Sequence, residues 1–258
     1  MSVLDSLRLD GKVALVTGGS RGLGLQIAHG LGEAGATIAI TARKEDGLST
    51  AVDELQKSGI TAMAVRCDIS RHDEVQAAVG QILNHFNHID ILVNNAGATW
   101  GAPFEHIPLD AWDKVMRTNV DGTFFVSHAV GLHMIERRQG GRIINIASVA
   151  GLRGTEPGVM QTLPYNTSKG AVVNFTRALA ATLAEHNITV NCICPGFFPT
   201  RMSQGILSQV GERVVERTPL KRLGGPDDLK GIAVLFASPA SSYITGQVIA
   251  VDGGSTAI

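Results

Sequence analysis

The feature that most constrains this chain is a repeated alternation. A short run apolar at nearly every position is followed by a glycine-bearing turn and then an amphipathic helix. The runs are Val13–Val16, Thr37–Ile40, Thr61–Arg66, Ile89–Val93, Arg142–Ile146, Thr189–Ile193 and Val248–Val251. A strand apolar on every residue, rather than on every second one, must be covered on both faces, as in a parallel sheet crossed by helices. Between the runs, apolar residues recur at helical spacing: Leu23 to Leu31; Leu48, Val52 and Leu55; Val75, Val79, Ile82 and Phe86; and a long stretch from Pro108 to Arg137. The pattern predicts an α/β chain with a doubly wound, seven-stranded parallel sheet and helices on both faces. No Pro-, Gly- or charge-rich linker divides the 258 residues, so they are expected to form one domain.

Such sheets bind ligands in the crevice beyond the carboxyl ends of their strands, and the chemistry-bearing residues fall there. After the first run comes Thr17-Gly18-Gly19-Ser20-Arg21-Gly22-Leu23-Gly24. Gly18, Gly22 and Gly24 let the backbone turn sharply and approach a pyrophosphate at the start of a helix, with Ser20, Arg21 and Leu23 alongside. These residues also fit the Gly-x-Ser-x-Gly elbow of esterases. An elbow needs an earlier strand whose loop supplies an oxyanion hole, and too little chain precedes this turn. After the second run, Ala42 stands where an NAD site carries an acid for the ribose 2′-hydroxyl, and Arg43 follows. A guanidinium there suits a 2′-phosphate, so NADP(H) is the expected cofactor and NAD(H) the alternative. Asp68 and Ile69 follow the third run, where the carboxylate is suited either to an adenine amino group or to a helix cap. Asn94, Asn95, Ala96 and Gly97 follow the fourth, as a ribose-side turn or a turn closed by its own amides. Ser148 follows the fifth, and Pro195, Gly196, Phe198 and Thr200 follow the sixth.

Tyr165 and Lys169 head an apolar helical segment, four residues apart and so on one face. A phenol with a free pKa of about 10 is a poor acid at neutrality. An ammonium one turn away is expected to favour the phenolate and lower that value. The pair can then exchange a proton with a carbonyl or alcohol oxygen.

Taken in order, Thr17 to Gly24, Asn94-Asn95-Ala96-Gly97, Asn119, Ser148, Tyr165-x-x-x-Lys169 and Pro195-Gly196 through Thr200 make the chain resemble the short-chain dehydrogenase/reductase family over nearly its whole length. The resemblance implies hydride transfer between a nicotinamide and a ketone or secondary alcohol. Tyr165 would be the acid/base, and Lys169 would tune it and hold the nicotinamide ribose. Ser148 would orient the substrate oxygen, and Asn119 would maintain a water-linked proton path. Within the family the chain looks most like 3-oxoacyl-thioester reductases, then like gluconate 5-dehydrogenase-like sugar-acid enzymes, for which Arg153 or Arg201 would hold a carboxylate. A non-catalytic NADP(H)-binding sensor is the rival class, and the complete Ser148, Tyr165 and Lys169 set argues against it. Seventeen positions separate Ser148 from Tyr165, a few more than is usual in the family, the extra length falling in residues 152–163. Trp100, Met160, Leu163, Phe197, Phe198, Met202, Ile206 and Leu207 are expected to border the substrate, with residues 197–225 forming a lid. The resemblance also implies a homotetramer built through the long helices near residues 110–137 and 164–186 and through the last strand.

Composition closes off other classes. A net charge of −1 and 17% charged residues argue against nucleic-acid binding. No apolar stretch is long enough to span a bilayer, and no signal peptide is expected at the N-terminus, so a cytoplasmic enzyme is anticipated. Cys67, Cys192 and Cys194 are too few for a disulfide framework and lack zinc spacing, so no metal is expected.

Overall fold

The computed structural model describes residues 2–154 and 160–258. A short helix, α1 (Val3–Ser6), precedes β1 (Val13–Thr17) and α2 (Gly22–Glu33). Then follow β2 (Thr37–Ala42), α3 (Glu45–Lys57), β3 (Ala62–Arg66), α4 (His72–Phe86) and β4 (Ile91–Asn94). The second half comprises α5 (Leu109–Met116), α6 (Gly122–Arg137), β5 (Gly141–Ile146), α7 (Leu163–Leu183), β6 (Ile188–Pro195), α8 (Gln204–Arg217), α9 (Lys230–Ala237) and β7 (Val248–Val251). The seven strands form one sheet in the order β3-β2-β1-β4-β5-β6-β7, and every pairing is parallel. The expected architecture is therefore observed. The chain winds outward from β1 to β3, returns beside β1 as β4 and winds the other way, so the strand order reverses between β1 and β4.

Successive residues of each strand feed opposite faces, which is why no strand can alternate apolar with polar. Ala14, Val16, Ile38, Ile40, Ile144 and Ile146 pack on one side with Ile27 and Leu31 of α2, Leu55 of α3 and Phe236 of α9. Leu15, Ala39, Leu92, Ile143 and Val190 pack on the other with Ile82 of α4, Val130 and Met134 of α6 and Leu183 of α7. Every residue of β1 and β6 is buried. Asp90, just before β4, ties this base together. It accepts from Val13 N–H (2.9 Å) and from the guanidinium of Arg137, at the end of α6.

Most expected boundaries hold to within two residues. The stretch from Pro108 to Arg137 is one continuous helical rod, but Arg117–Asp121 form a π-helical turn inside it. The extra residue in that turn aims Asn119 into the protein, where it is 1% exposed. Of the lengthened 152–163 stretch, residues 155–159 lie outside the described residues. Among the described residues no helix is long and apolar enough to cross a membrane, and no cluster of His, Cys, Asp and Glu could hold a metal ion.

Candidate active site

The reversal of strand order opens a crevice between the loops after β1 and β4. Its walls meet so closely that side chains are excluded at two glycines. A Cβ on Gly18, whose φ is +65°, would stand 2.9 Å from Ala96 Cα, and one on Gly24 would stand 2.5 Å from Gly18 O. Thr17 locks the two loops, its hydroxyl accepting from Asn95 N–H (3.0 Å) and Ala96 N–H (3.1 Å). The Asn95 amide spans the same gap, donating to Thr17 O (2.9 Å) and Gly18 O (3.2 Å). The side-chain amides of this turn bond outside it, not within it: Asn95 reaches the loop after β1, and Asn94 donates to Ser127 Oγ (2.8 Å) and Asn145 Oδ1 (2.9 Å). α2 starts at Gly22 with no side-chain cap, so its first N–H groups point into the crevice as an anion site. Across from it lies Thr200, with Cγ2 3.5 Å from where a Gly22 Cβ would be. Its backbone is fixed by Ser203, whose hydroxyl accepts from Thr200 N–H (2.9 Å). Between β6 and Thr200, Gly196 passes Asp252 with no room for a Cβ. Ser20 is half-buried beside the turn, while Arg21 and Arg43 are both exposed at the rim. The cradle fits a dinucleotide phosphate bridge.

Several positions expected to touch a cofactor turn elsewhere. Ile69 is 5% exposed and packs against Gly122, and Phe198 is 5% exposed with its ring against Gly224. Leu23, in the first turn of α2, is half-buried and packs on the core. The side chains of Ile69 and Phe198 are taken up by these contacts. The Asp68 carboxylate accepts from Ser70 N–H (3.0 Å) and from its hydroxyl (2.8 Å), holding the turn ahead of α4.

The reacting groups converge past β5. Ser148 opens a single 3₁₀ turn and accepts from Ala150 N–H (3.1 Å). That turn presses on α7 at Gly151, where a Cβ would stand 2.5 Å from the Lys169 carbonyl carbon. The closeness brings Ser148 up to Tyr165, where its hydroxyl acts on the phenol. Pro164 in the first turn of α7 and the bond from Ser168 Oγ to Tyr165 O (2.8 Å) fix the helix start. Lys169 Nζ donates to Ile146 O (2.8 Å) and lies 5.6 Å from the Tyr165 ring centroid. Asn119 accepts from Ala98 N–H (2.7 Å) and donates to Ala98 O (2.9 Å) and Ser168 Oγ (2.9 Å). Gly97 separates Asn119 from Lys169. A Cβ there would be 3.2 Å from Asn119 Oδ1 and 3.7 Å from Lys169 Nζ.

The electrostatics correct one expectation. The Tyr165 phenol is pushed up, not down. Burial among its neighbours dominates, and the Ser148 hydrogen bond opposes it only in part. Lys169 is itself 6% exposed, and burial lowers its ammonium to about 8. Helical spacing brought the two side chains together, but the ammonium is spent on the Ile146 carbonyl and is itself desolvated. At neutral pH the pair is a protonated phenol beside a mostly protonated amine. Cys192 and Cys194 lie behind Lys169 with their sulfurs 3.9 Å apart, both fully buried and free.

Beside these groups is a cavity of about 680 Å³, lined by Ala102, Phe104, Ile107, Leu152, Arg153, Met160 and Leu163 among others. It borders Ala150 and Asn166, neighbours of Ser148 and Tyr165, without including either of those two. Of the residues expected to border substrate, Met160 and Leu163 are in its wall, whereas Trp100, Phe197, Met202, Ile206 and Leu207 are not. The roles of Thr17, Gly151 and Ser168 were not identified in the sequence. That of Thr17 could have been, as a hydroxyl ending a buried strand.

A Rossmann-type crevice with a tyrosine, a serine and a lysine at its sheet edge defines an oxidoreductase. The profile of the family described as enoyl-(acyl carrier protein) reductase matches residues 18–256. The chain belongs to the short-chain dehydrogenase/reductase family. Gluconate 5-dehydrogenase of Gluconobacter oxydans is 39% identical over 258 residues, 99% of each chain. The 3-oxoacyl-(acyl-carrier-protein) reductase of Aquifex aeolicus is 37% identical over 249 residues, 96% of this chain and 98% of that protein. A solved structure of gluconate 5-dehydrogenase from Burkholderia cenocepacia, in complex with NADP and tartrate, is similar with a TM-score of 0.94 and 39% identity, over 100% of both chains.

Proposed function

We propose that this oxidoreductase uses NADP(H) to reduce a ketone to a secondary alcohol, and that the ketone is a 3-oxoacyl thioester. The observation carrying the reaction is the convergence of Ser148 and Tyr165 beside a buried Lys169 whose ammonium is held by Ile146 O. When bound, the nicotinamide supplies the hydride. Gly18, Gly22 and Gly24 would hold its phosphates against α2, and Arg43 with Arg21 the 2′-phosphate. Asp68, Asn95, Ala96, Gly97, Pro195, Gly196 and Thr200 frame the rest of the crevice. Tyr165, kept protonated by burial, donates its proton to the substrate oxygen while Ser148 hydrogen-bonds the same oxygen, so developing charge meets preorganised donors. The Lys169 ammonium then faces the phenolate that is left, and Asn119, on the far side of Gly97, supports the path by which the proton is restored.

The apolar part of the cavity wall (Ala102, Phe104, Ile107, Leu152, Met160 and Leu163) favours an acyl chain. Arg153 in the same wall favours a second reading, a keto sugar acid held by its carboxylate. The names of the relatives support both. Residues 197–225 are proposed as the lid: α8 buries only Val214 and leaves Met202 beside it 47% exposed. Exposed Phe124 and Leu132 on α6, with Ile249 on the open edge strand β7, support a homotetramer, and three free thiols support a cytoplasmic setting.

The test is NADPH oxidation with acetoacetyl thioesters and with 5-ketogluconate. The wild type turns over one of them, and Tyr165→Phe abolishes that turnover while retaining NADPH binding. Full activity in Tyr165→Phe removes the mechanism, and failure on both substrates removes both substrate readings.

A further inference from the structure

At the opposite end of the sheet from Tyr165, a second cavity of about 820 Å³ opens between the starts of β5 and β6 and the segment leading into β7. Its wall includes Arg142, Thr189, Gln139, Asn187, Ser242 and Gln247. Arg142 and Thr189 are directly paired neighbours of β5 and β6, on the sheet face that also carries Ile144 and Ile193. Neither is satisfied by the protein. Thr189 is 8% exposed, and its hydroxyl has no hydrogen-bond partner among the described residues. Among the described residues the Arg142 side chain donates only to the neighbouring Gly141 carbonyl (3.1 Å), and its Nε is buried without a partner. Burial alone acts on its guanidinium, lowering its pKa, with no carboxylate contributing. Asp90, whose backbone carbonyl accepts from Arg142 N–H, has its carboxylate taken by Val13, Lys12 and Arg137.

A desolvated cation next to a desolvated hydroxyl is costly unless an acceptor meets both. We infer that this cavity binds a small polar organic carboxylate, with its carboxylate on Arg142 and Thr189 and its polar body among the amides of Gln139, Asn187 and Gln247. The planar fork of an arginine matches a carboxylate, and the volume exceeds what a bare inorganic ion fills. The site is separate from the catalytic groups, since β5 carries Arg142 at its beginning and reaches Ser148 only beyond its end.

The experiment is calorimetric titration of citrate into the enzyme saturated with NADP, so that the crevice cannot take up the anion, at matched ionic strength. One citrate per chain is expected. Arg142→Gln should weaken binding by about tenfold or more, as expected for loss of a hydrogen bond to a charged group. Thr189→Val should weaken it severalfold. Thr189→Val, which keeps the side-chain shape, carries the test if Arg142→Gln does not fold. No citrate binding by the wild type, or equal binding by wild type and both variants, overturns the inference. So does a wild type that binds no citrate and whose assembly, by size-exclusion light scattering, falls apart on Arg142→Gln; Arg142 then holds a carboxylate of a neighbouring copy instead.

Discussion

Replacing Lys169 with Met tests the electrostatics of the site without relying on any substrate. Methionine keeps the length and apolar bulk of the stem but cannot titrate. In the folded chain the Lys169 ammonium sits at about 8, against an ordinary 10.5. Between those values the unfolded chain still holds the proton that the folded chain has lost. The unfolded state therefore binds more protons, and stability rises with pH across this window. The whole interval corresponds to about 3 kcal/mol at about 1.4 kcal/mol per pH unit. About 2 kcal/mol of it is recovered between about pH 7.5 and pH 10. The Tyr165 phenol, pushed above its ordinary value of 10.0, stays protonated through most of that range and adds little. The assay is urea unfolding of cofactor-free wild type and Lys169→Met at one protein concentration, at both pH values. Taking the difference between the two proteins cancels every other lysine and tyrosine. The wild type should gain about 2 kcal/mol on the variant at the higher pH. A difference that stays constant to within about 0.5 kcal/mol would show that Lys169 keeps an ordinary pKa, and the account of a desolvated ammonium fails.

Gly24→Ala puts a Cβ 2.5 Å from Gly18 O and should cost about 1–3 kcal/mol in urea unfolding while weakening NADPH binding, since the backbone must shift. Gly80→Ala, mid-helix in α4 with nothing within 4 Å, should instead stabilise by about 0.5–1 kcal/mol. Asp90→Asn leaves the nearly buried Arg137 unpaired and should cost about 3 kcal/mol. Although burial pushes the Asp90 carboxyl up, the bonds from Val13 and Arg137 outweigh it and hold its pKa below 3.8. Its contribution is therefore full above the ordinary carboxylate range and lost as pH falls through the lowered value, an acid limb that the variant should lack in urea titrations. Arg43→Ala should raise KM for NADPH at least tenfold and leave that for NADH nearly unchanged, because a charge-assisted bond to a phosphate is worth about 1.5–3 kcal/mol; equal effects on both cofactors would show that Arg43 does not meet the 2′-phosphate.

The sheet was legible because a strand covered on both faces must be apolar throughout, and runs such as Val13–Val16 and Thr189–Ile193 have few other places to go. The residues ending those runs were legible for the same reason, since parallel strands deliver their carboxyl ends to one edge. What lay beyond the sequence depends on contacts between distant segments. Thr17 locks the loop carrying Asn95 and Ala96, and Gly151 lets Ser148 reach Tyr165, yet no local pattern gives either residue that role. The π-helical turn at Arg117–Asp121 adds one residue to a turn and leaves the apolar rhythm from Pro108 to Arg137 intact, so periodicity cannot report it. Ile69 and Phe198 stand where ligand-binding residues stand, but their side chains meet Gly122 and Gly224 and are absorbed by the core.

The Tyr165–Lys169 pair shows why spacing gives proximity but not sign. Four residues of helix place the ammonium near the ring, and attraction alone would lower the phenol. The fold adds two facts that the helix does not contain: the Ile146 carbonyl that engages Nζ, and the burial that disfavours charge on both groups. A phenol raised by burial is a poor base and, at neutrality, a fully loaded proton donor. In the proposed reaction that favours reduction, where the proton leaves Tyr165 only as charge develops on the substrate oxygen and Lys169 is still mostly protonated to face the phenolate. Oxidation of the alcohol needs the phenolate first, and the same burial opposes it, so the oxidative rate should climb with pH well past the range in which reduction is already at its maximum.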